Sequence, residues 1–445
     1  MRDPLARSAT SLLADLRAGS LSAVELVEAC LDRIAAWEPD IQAWAYLDRN
    51  LALAQAQAAD ARRVGGEKLG PLNGLPVGVK DIIDTADMPT EYNSPIYRGR
   101  QPQKDATLVA RLRAAGAVVL GKTVTSEFAV YTPGPTRNPH DLTRTPGGSS
   151  SGSAAAIAAR MIPLALATQT NGSTIRPASF CGIVGYKPGL GMLPRTGILK
   201  QATMLDQPGL MAMDVAGVAL FADALAGADA LDEQSLRPAM PSLSAAIALD
   251  SAPKLAFVRS PYWGRADEAT HRAVEDFVRS LGSLIEEIRL PEAFDNAADL
   301  QNIIMSAGIA DACRQDYLHS RELMSDVLLG IVETGRKITA TDFIAALSAR
   351  DSLRVVYRGL FTGYDAIVTP AALGIAPRHE EGTGNPIMAT LWTLLGAPAL
   401  TLPLLKGPDD MPLGVQLIGR LDDDVGLIRA AAWLERHAGG GQPQF

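Results

Sequence analysis

Apolar residues near the start of the chain recur with a helical period, with Val24, Val27, Leu31 and Ile34 sharing one face. Ser22-Ala23-Val24-Glu25 stands at their head as a capping box, so residues 1–70 read as amphipathic helices that serve as scaffold. The period then shortens. Leu75-Pro76-Val77-Gly78-Val79-Lys80 is a β-rich run that delivers Lys80 from a strand end, half buried between Val79 and Ile82. Residues 105–115 return to helix, and Gly116 leads into an apolar strand. Residues 154–159 read as a buried helix and 162–167 as a strand. Asp, Ser and Pro punctuate 226–255, a boundary or surface excursion, and 254–259 is a strand. Residues 271–288 read as one helix through Val274, Phe277, Val278, Leu281 and Ile285. A mainly helical stretch over 302–358 is placed to cover a site. Strand pattern resumes at 363–370, and an Ala/Leu helix over 425–434 follows the last strands.

Two polar knots interrupt this apolar text. Thr145-Pro146-Gly147-Gly148-Ser149-Ser150-Ser151-Gly152-Ser153 puts serines on a tight turn at a helix N-terminus, where backbone N–H groups are unpaired. Thr168-Gln169-Thr170-Asn171-Gly172-Ser173-Thr174-Ile175-Arg176 follows the next strand. Glycines in a linker lie between domains; these lie between interior segments, where glycine marks close backbone approach or an unusual φ.

Two familiar patterns mislead here. Gly116 to Thr123 spells the G-x-x-x-x-G-K-[ST] phosphate loop, but a helix precedes Gly116 and the middle residues are an apolar β run, the reverse of what a phosphate loop needs. Gly148-Ser149-Ser150-Ser151-Gly152 matches the nucleophile elbow with Ser150 at its centre, yet Pro-rich loop rather than strand precedes it. The five histidines, His140, His271, His319, His379 and His437, stand in no base context.

The segments 146–156 and 169–188 resemble the signature block of the amidase signature family of serine hydrolases, closest in text to malonamidase-like small amidases. Ser149 and Ser173 lie 24 positions apart, as in the family pattern. Gly74 to Asp81 resembles the segment carrying the family's catalytic lysine, and Tyr364 to Pro370, Gly396 to Ala399 and Gly414 to Gly419 resemble its C-terminal landmarks. The resemblance covers nearly the whole chain and is weakest between 229 and 363. It implies a single α/β domain over 1–445, with a large central mixed sheet flanked by helices on both faces. Its parts would be the N-terminal helices (1–70), a signature core (71–225), a variable, mainly helical covering region (226–363) and a return to the core (364–445).

By the same resemblance Ser173 is the nucleophile, Ser149 the bridging serine behind a cis Gly148–Ser149 peptide bond, and Lys80 the base. The oxyanion would meet the backbone N–H groups of Thr170, Asn171, Gly172 and Ser173. Gln169 replaces the family's usual aspartate and Asn171 a glycine; the turn works through its backbone, and Asn tolerates positive φ. Arg176 either binds a substrate carboxylate as a planar fork, as the matching arginine does in malonamidase-like members, or pairs with a buried carboxylate. The reaction implied is hydrolysis of an amide C–N bond through a serine acyl-enzyme. A glutaminase subunit of an amidotransferase, or a hydrolase of a urea, carbamate, hydrazide or ester, remains open.

Composition narrows the partners. The 445 residues carry 41 basic and 49 acidic side chains, a formal charge of −8, with no basic block for nucleic acid. Cys30, Cys181 and Cys313 are too few and too scattered for a disulfide framework or a metal site, which fits a reducing cytoplasm. The opening residues Met1 to Arg7 show no secretory signal, and no apolar run is long enough for a bilayer. A small-molecule amide is therefore the expected partner, with no cofactor and no metal; a homodimer stays open.

Overall fold

In the computed structural model, which describes residues 3–236 and 241–438, eleven strands join in one mixed sheet. In chain order they are β1 (Trp44–Leu47), β2 (Pro76–Lys80), β3 (Val118–Thr123), β4 (Leu164–Gln169), β5 (Val184–Lys187), β6 (Gln207–Ala212), β7 (Leu255–Val258), β8 (Ile285–Ile288), β9 (Ala366–Pro370), β10 (Ala399–Lys406) and β11 (Pro412–Gly419). Across the sheet the order is β1-β3-β2-β4-β6-β5-β10-β11-β9-β7-β8. Strand β2 runs parallel to both β3 and β4, and β7 runs parallel to both β8 and β9. The remaining pairs are antiparallel. Every position of β2 to β6 is buried, so helices cover both faces there, whereas the edge strands β1 and β8 keep exposed residues.

The capping box at Ser22 and Glu25 opens helix Ala23–Ile41 as the sequence predicts. Three expectations need correction. Residues 1–70 are not helix throughout: Trp44–Leu47 pairs with β3 as an edge strand. The helix expected to run to Ile288 ends at Ser280, and Gly282, at φ +56°, lets the chain turn into β8. The region 226–363 is accordingly more than a cover, because it supplies β7 and β8 to the common sheet. Its helices Ala297–Ala312, Asp326–Gly335 and Ala340–Leu360 form the expected helical part. Met1 and Arg2, the start of the stretch read for a leader, lie outside the described residues, as do 237–240 and 439–445. No helix among the described residues is long and apolar enough to cross a membrane.

Candidate active site

Strands β2 and β4 lie side by side, and the chain leaves β2 at Lys80 and β4 at Gln169. Their ends present Lys80 and Thr168 to the same point. Helix Ser151–Ala158 begins there as well, held between β3 and β4 by its own hydroxyls. Ser151 Oγ donates to the Val124 carbonyl (3.3 Å), Ser153 Oγ to the Leu166 carbonyl (2.9 Å), and Ser150 Oγ to the Thr168 carbonyl (3.3 Å). Gly152 has to be glycine: a Cβ would sit 2.2 Å from the Ala43 carbonyl oxygen and 2.4 Å from the Val124 nitrogen. Ser150, the centre of the elbow-like pattern, is thus a wholly buried structural residue.

Ser149 differs from its neighbours. It follows a cis peptide bond to Gly148, as the resemblance implies, and its Oγ accepts from Lys80 Nζ at 2.7 Å. Lys80 Nζ also donates to Thr168 Oγ1 at 2.8 Å. Lys80 is wholly buried rather than half buried. Burial pulls its pKa well below the ordinary 10.5, and the charge of Asp206 pushes the other way. Asp206, its own pKa raised by burial, accepts from Thr170 Oγ1 (2.7 Å) and from the backbone N–H groups of Gln201 and Ala202.

The turn from Thr170 to Thr174 joins β4 to helix Ile175–Phe180 and carries Ser173, which is partly exposed. Four side chains from three elements fix it. Gln169 Oε1 accepts from the N–H groups of Thr174 (2.8 Å) and Ile175 (3.0 Å), so the residue standing for the family's aspartate anchors the turn through its side chain. Gln301 Nε2 donates to the Thr170 carbonyl at 2.7 Å, Thr393 Oγ1 to the Asn171 carbonyl at 2.5 Å, and Thr390 Oγ1 to Asn171 Oδ1 at 2.7 Å. Asn171 does not use a positive φ, and Gly172 is required by contact instead, since a Cβ there would meet Pro386 Cβ at 2.8 Å. Among the described residues, no acceptor takes the N–H groups of Asn171, Gly172 or Ser173.

Arg176 is buried, and no carboxylate pairs with it among the described residues, contrary to the buried-pair expectation. Its Nη2 donates to the Gly148 carbonyl at 2.6 Å and to Thr383 Oγ1 at 3.4 Å, while Nε and Nη1 have no partner. Desolvation draws its pKa down to about 10. Ser173 and Arg176 line a gap of about 10 Å³. The gap shares Tyr131, Asn171 and Pro386 with a cavity of about 960 Å³, and Thr170 and Gln201 with one of about 530 Å³ that also reaches Thr168 and Asp206.

The other readings fall outside this site. Lys122, the lysine of the phosphate-loop pattern, is buried in β3 and pairs with Asp81 at 3.2 Å. His140, His271, His379 and His437 bind backbone carbonyls elsewhere, and the three cysteines are buried and free. Among the described residues no cluster could hold a metal. Sequence reasoning passes over Gln301, Thr390 and Thr393, and sees Thr168 only as part of a polar knot. For Gln301 a signal exists: it is a lone amide on the stripe of Ala297, Leu300, Ile304 and Met305 that its helix buries.

The Amidase family profile matches residues 25–428. A glutamyl-tRNA(Gln) amidotransferase subunit from Anaeromyxobacter sp. (strain K) is 36% identical, with 96% of this chain and 95% of that protein aligned. Among solved structures, the peptide amidase from Stenotrophomonas maltophilia superimposes with a TM-score of 0.84 at 29% identity, covering 98% of each chain. A chain from a vestigial protein complex that reveals the evolutionary origins of an s-triazine catabolic enzyme reaches 0.92 at 29% identity, covering 98% of this chain and all of that one. A family match across most of the chain, on a fold that the peptide amidase shares over 98% of its length, makes this protein a member of the amidase family and an amide-hydrolysing enzyme.

Proposed function

We propose that the protein hydrolyses amides through an acyl-enzyme on Ser173, with Ser149 as relay and Lys80 as base. The observation that carries this is the pairing of a wholly buried lysine with two hydroxyls, Ser149 and Thr168, and no carboxylate. Burial favours the neutral form of a lysine so placed, and in that form its lone pair can take the Ser149 proton while an N–H still donates to Thr168. As Ser173 Oγ bonds to the carbonyl carbon, its proton passes to Ser149 Oγ, and the Ser149 proton passes to Lys80 Nζ. When the C–N bond breaks, the same relay returns a proton to the leaving nitrogen, and water then frees the acid. The N–H groups of Asn171, Gly172 and Ser173, with that of Thr170, supply the oxyanion donors, each worth roughly 10² to 10³ in rate.

Ser173→Ala abolishes both turnover and covalent labelling by a fluorophosphonate on this reading; labelling that persists at Ser149 or Ser150 overturns it. The free Nε and Nη1 of Arg176 support a substrate with a carboxylate beside the scissile amide. Arg176→Ala then raises KM for an acid-bearing amide by roughly 1.5 to 3 kcal/mol and leaves neutral amides little changed. Equal loss for both, with a fallen Tm, removes the carboxylate claim.

The 36% identity to an amidotransferase component supports a second reading, in which the amide is that of glutamine and the ammonia goes to a partner. Ammonia release from simple amides by the chain alone separates the two. Such chemistry fits a cytoplasmic enzyme working on a small molecule, alone or as a homodimer.

A further inference from the structure

Resting on the acyl-enzyme reading above, we infer that Gln301 and Thr393 are positioning residues that aim the oxyanion donors by gripping the opposite side of their peptide planes. A trans peptide is planar, with its C=O and the following N–H pointing in opposite directions. Whatever fixes the carbonyl of Thr170 therefore fixes the N–H of Asn171, and whatever fixes the carbonyl of Asn171 fixes the N–H of Gly172. Gln301 holds the first carbonyl at 2.7 Å and Thr393 the second at 2.5 Å. Both side chains are wholly buried, so water does not compete for either bond. The two N–H groups they aim take no acceptor among the described residues and belong to the two residues that precede Ser173.

The helices that carry the clamp give it a further property. Gln301 sits on helix Ala297–Ala312, whose Ala298 and Asn302 line the larger cavity, and Thr393 sits on helix Ile387–Leu395, whose Thr390 lines it too. The walls that a substrate touches and the bonds that orient the donors thus belong to the same two helices. Gln301 Oε1 is buried without a partner, a cost that an apolar residue would not carry and that the Nε2 bond offsets.

The test compares Gln301→Met, Thr393→Val and Thr393→Ser with the wild type, reading kcat and KM on benzamide, the labelling rate with a fluorophosphonate, and a melting curve. The phosphonyl oxygen occupies the place of the oxyanion, so labelling reports the donors without requiring benzamide to be a good substrate. Gln301→Met and Thr393→Val should each lower kcat and the labelling rate about tenfold to a hundredfold, a part of the loss of a whole donor, with KM within about twofold. Thr393→Ser keeps the hydroxyl and should recover most of the loss. Should Gln301→Met fail to fold, the Val and Ser pair decides alone. A labelled wild type whose variants are labelled equally fast, or a Ser variant as impaired as the Val variant, overturns the clamp and leaves the acyl-enzyme reading standing. A wild type that is neither active nor labelled overturns both.

Discussion

Two lysines leave neighbouring parallel strands in this sheet and meet different fates. Lys80 at the end of β2 and Lys122 in β3 lie one register step apart, and both are wholly buried. Lys122 faces the carboxylate of Asp81 at 3.2 Å and donates to the Pro89 carbonyl and Thr90 Oγ1. Lys80 faces two hydroxyls. Burial lowers the pKa of both; beside Lys122 a carboxylate in contact opposes the fall, and beside Lys80 only the more distant Asp206 does. Burial is therefore common to both lysines and the partner separates them, because a carboxylate favours the charged form and a hydroxyl does so far less.

The sharpest way to break this comparison is Lys80→Met. Turnover should fall about 10² to 10⁴-fold, the usual worth of a general base, while the melting temperature holds or rises. A surviving activity would place the base elsewhere. Lys122→Met should do the reverse, costing about 3 to 5 kcal/mol of stability in a denaturant titration because it strands the Asp81 carboxylate. Adding Asp81→Asn should return much of that loss, and a double variant as unstable as the single one would deny that the pair is the cause. The smallest effect is the pH dependence of stability at Lys80. Its folded pKa lies below its unfolded one, so between the two values the unfolded chain binds the extra proton and stability falls as pH falls. As the pH falls below the ordinary lysine value, the wild type should lose stability relative to Lys80→Met, by at most about 1.5 °C per pH unit, measured by calorimetry. Parallel curves would mean that Lys80 keeps its proton in the folded state.

The residues that a motif can carry are legible in the sequence. Lys80, Ser149 and Ser173 sit in short strings whose neighbours are constrained by close packing, such as Gly152 against the Ala43 carbonyl. Thr168 is visible as part of a polar knot, but its role depends on β2 and β4 being neighbours, which no local pattern states. Gln301 and Thr393 reach the turn from 131 and 222 positions away. Strand β8 reads as helix because Ile285 and Ile288 keep a helical spacing with the preceding stripe, and only the left-handed Gly282 shows that the helix has ended. The edge strand β1 is hidden because its four residues lie between two long amphipathic helices.

The attachment of the covering helices to the sheet bears on how such an enzyme changes its diet. The chain from Ile288 to Ala366 leaves β8 and re-enters at β9, and both of these strands pair with β7. Its two roots therefore lie two strand spacings apart and at opposite ends of β7, beside Val258 and Leu255, roughly 14 Å from each other. An insert rooted so narrowly behaves as a replaceable cartridge: lengthening or exchanging it asks little of the sheet, since loop closure grows only slowly with length. Lys80, Ser149 and Ser173 all lie outside it and would pass unchanged from one cartridge to the next. Gln301 lies inside it, so every replacement would have to supply a new hand for the Thr170 carbonyl before its new cavity wall could be put to use.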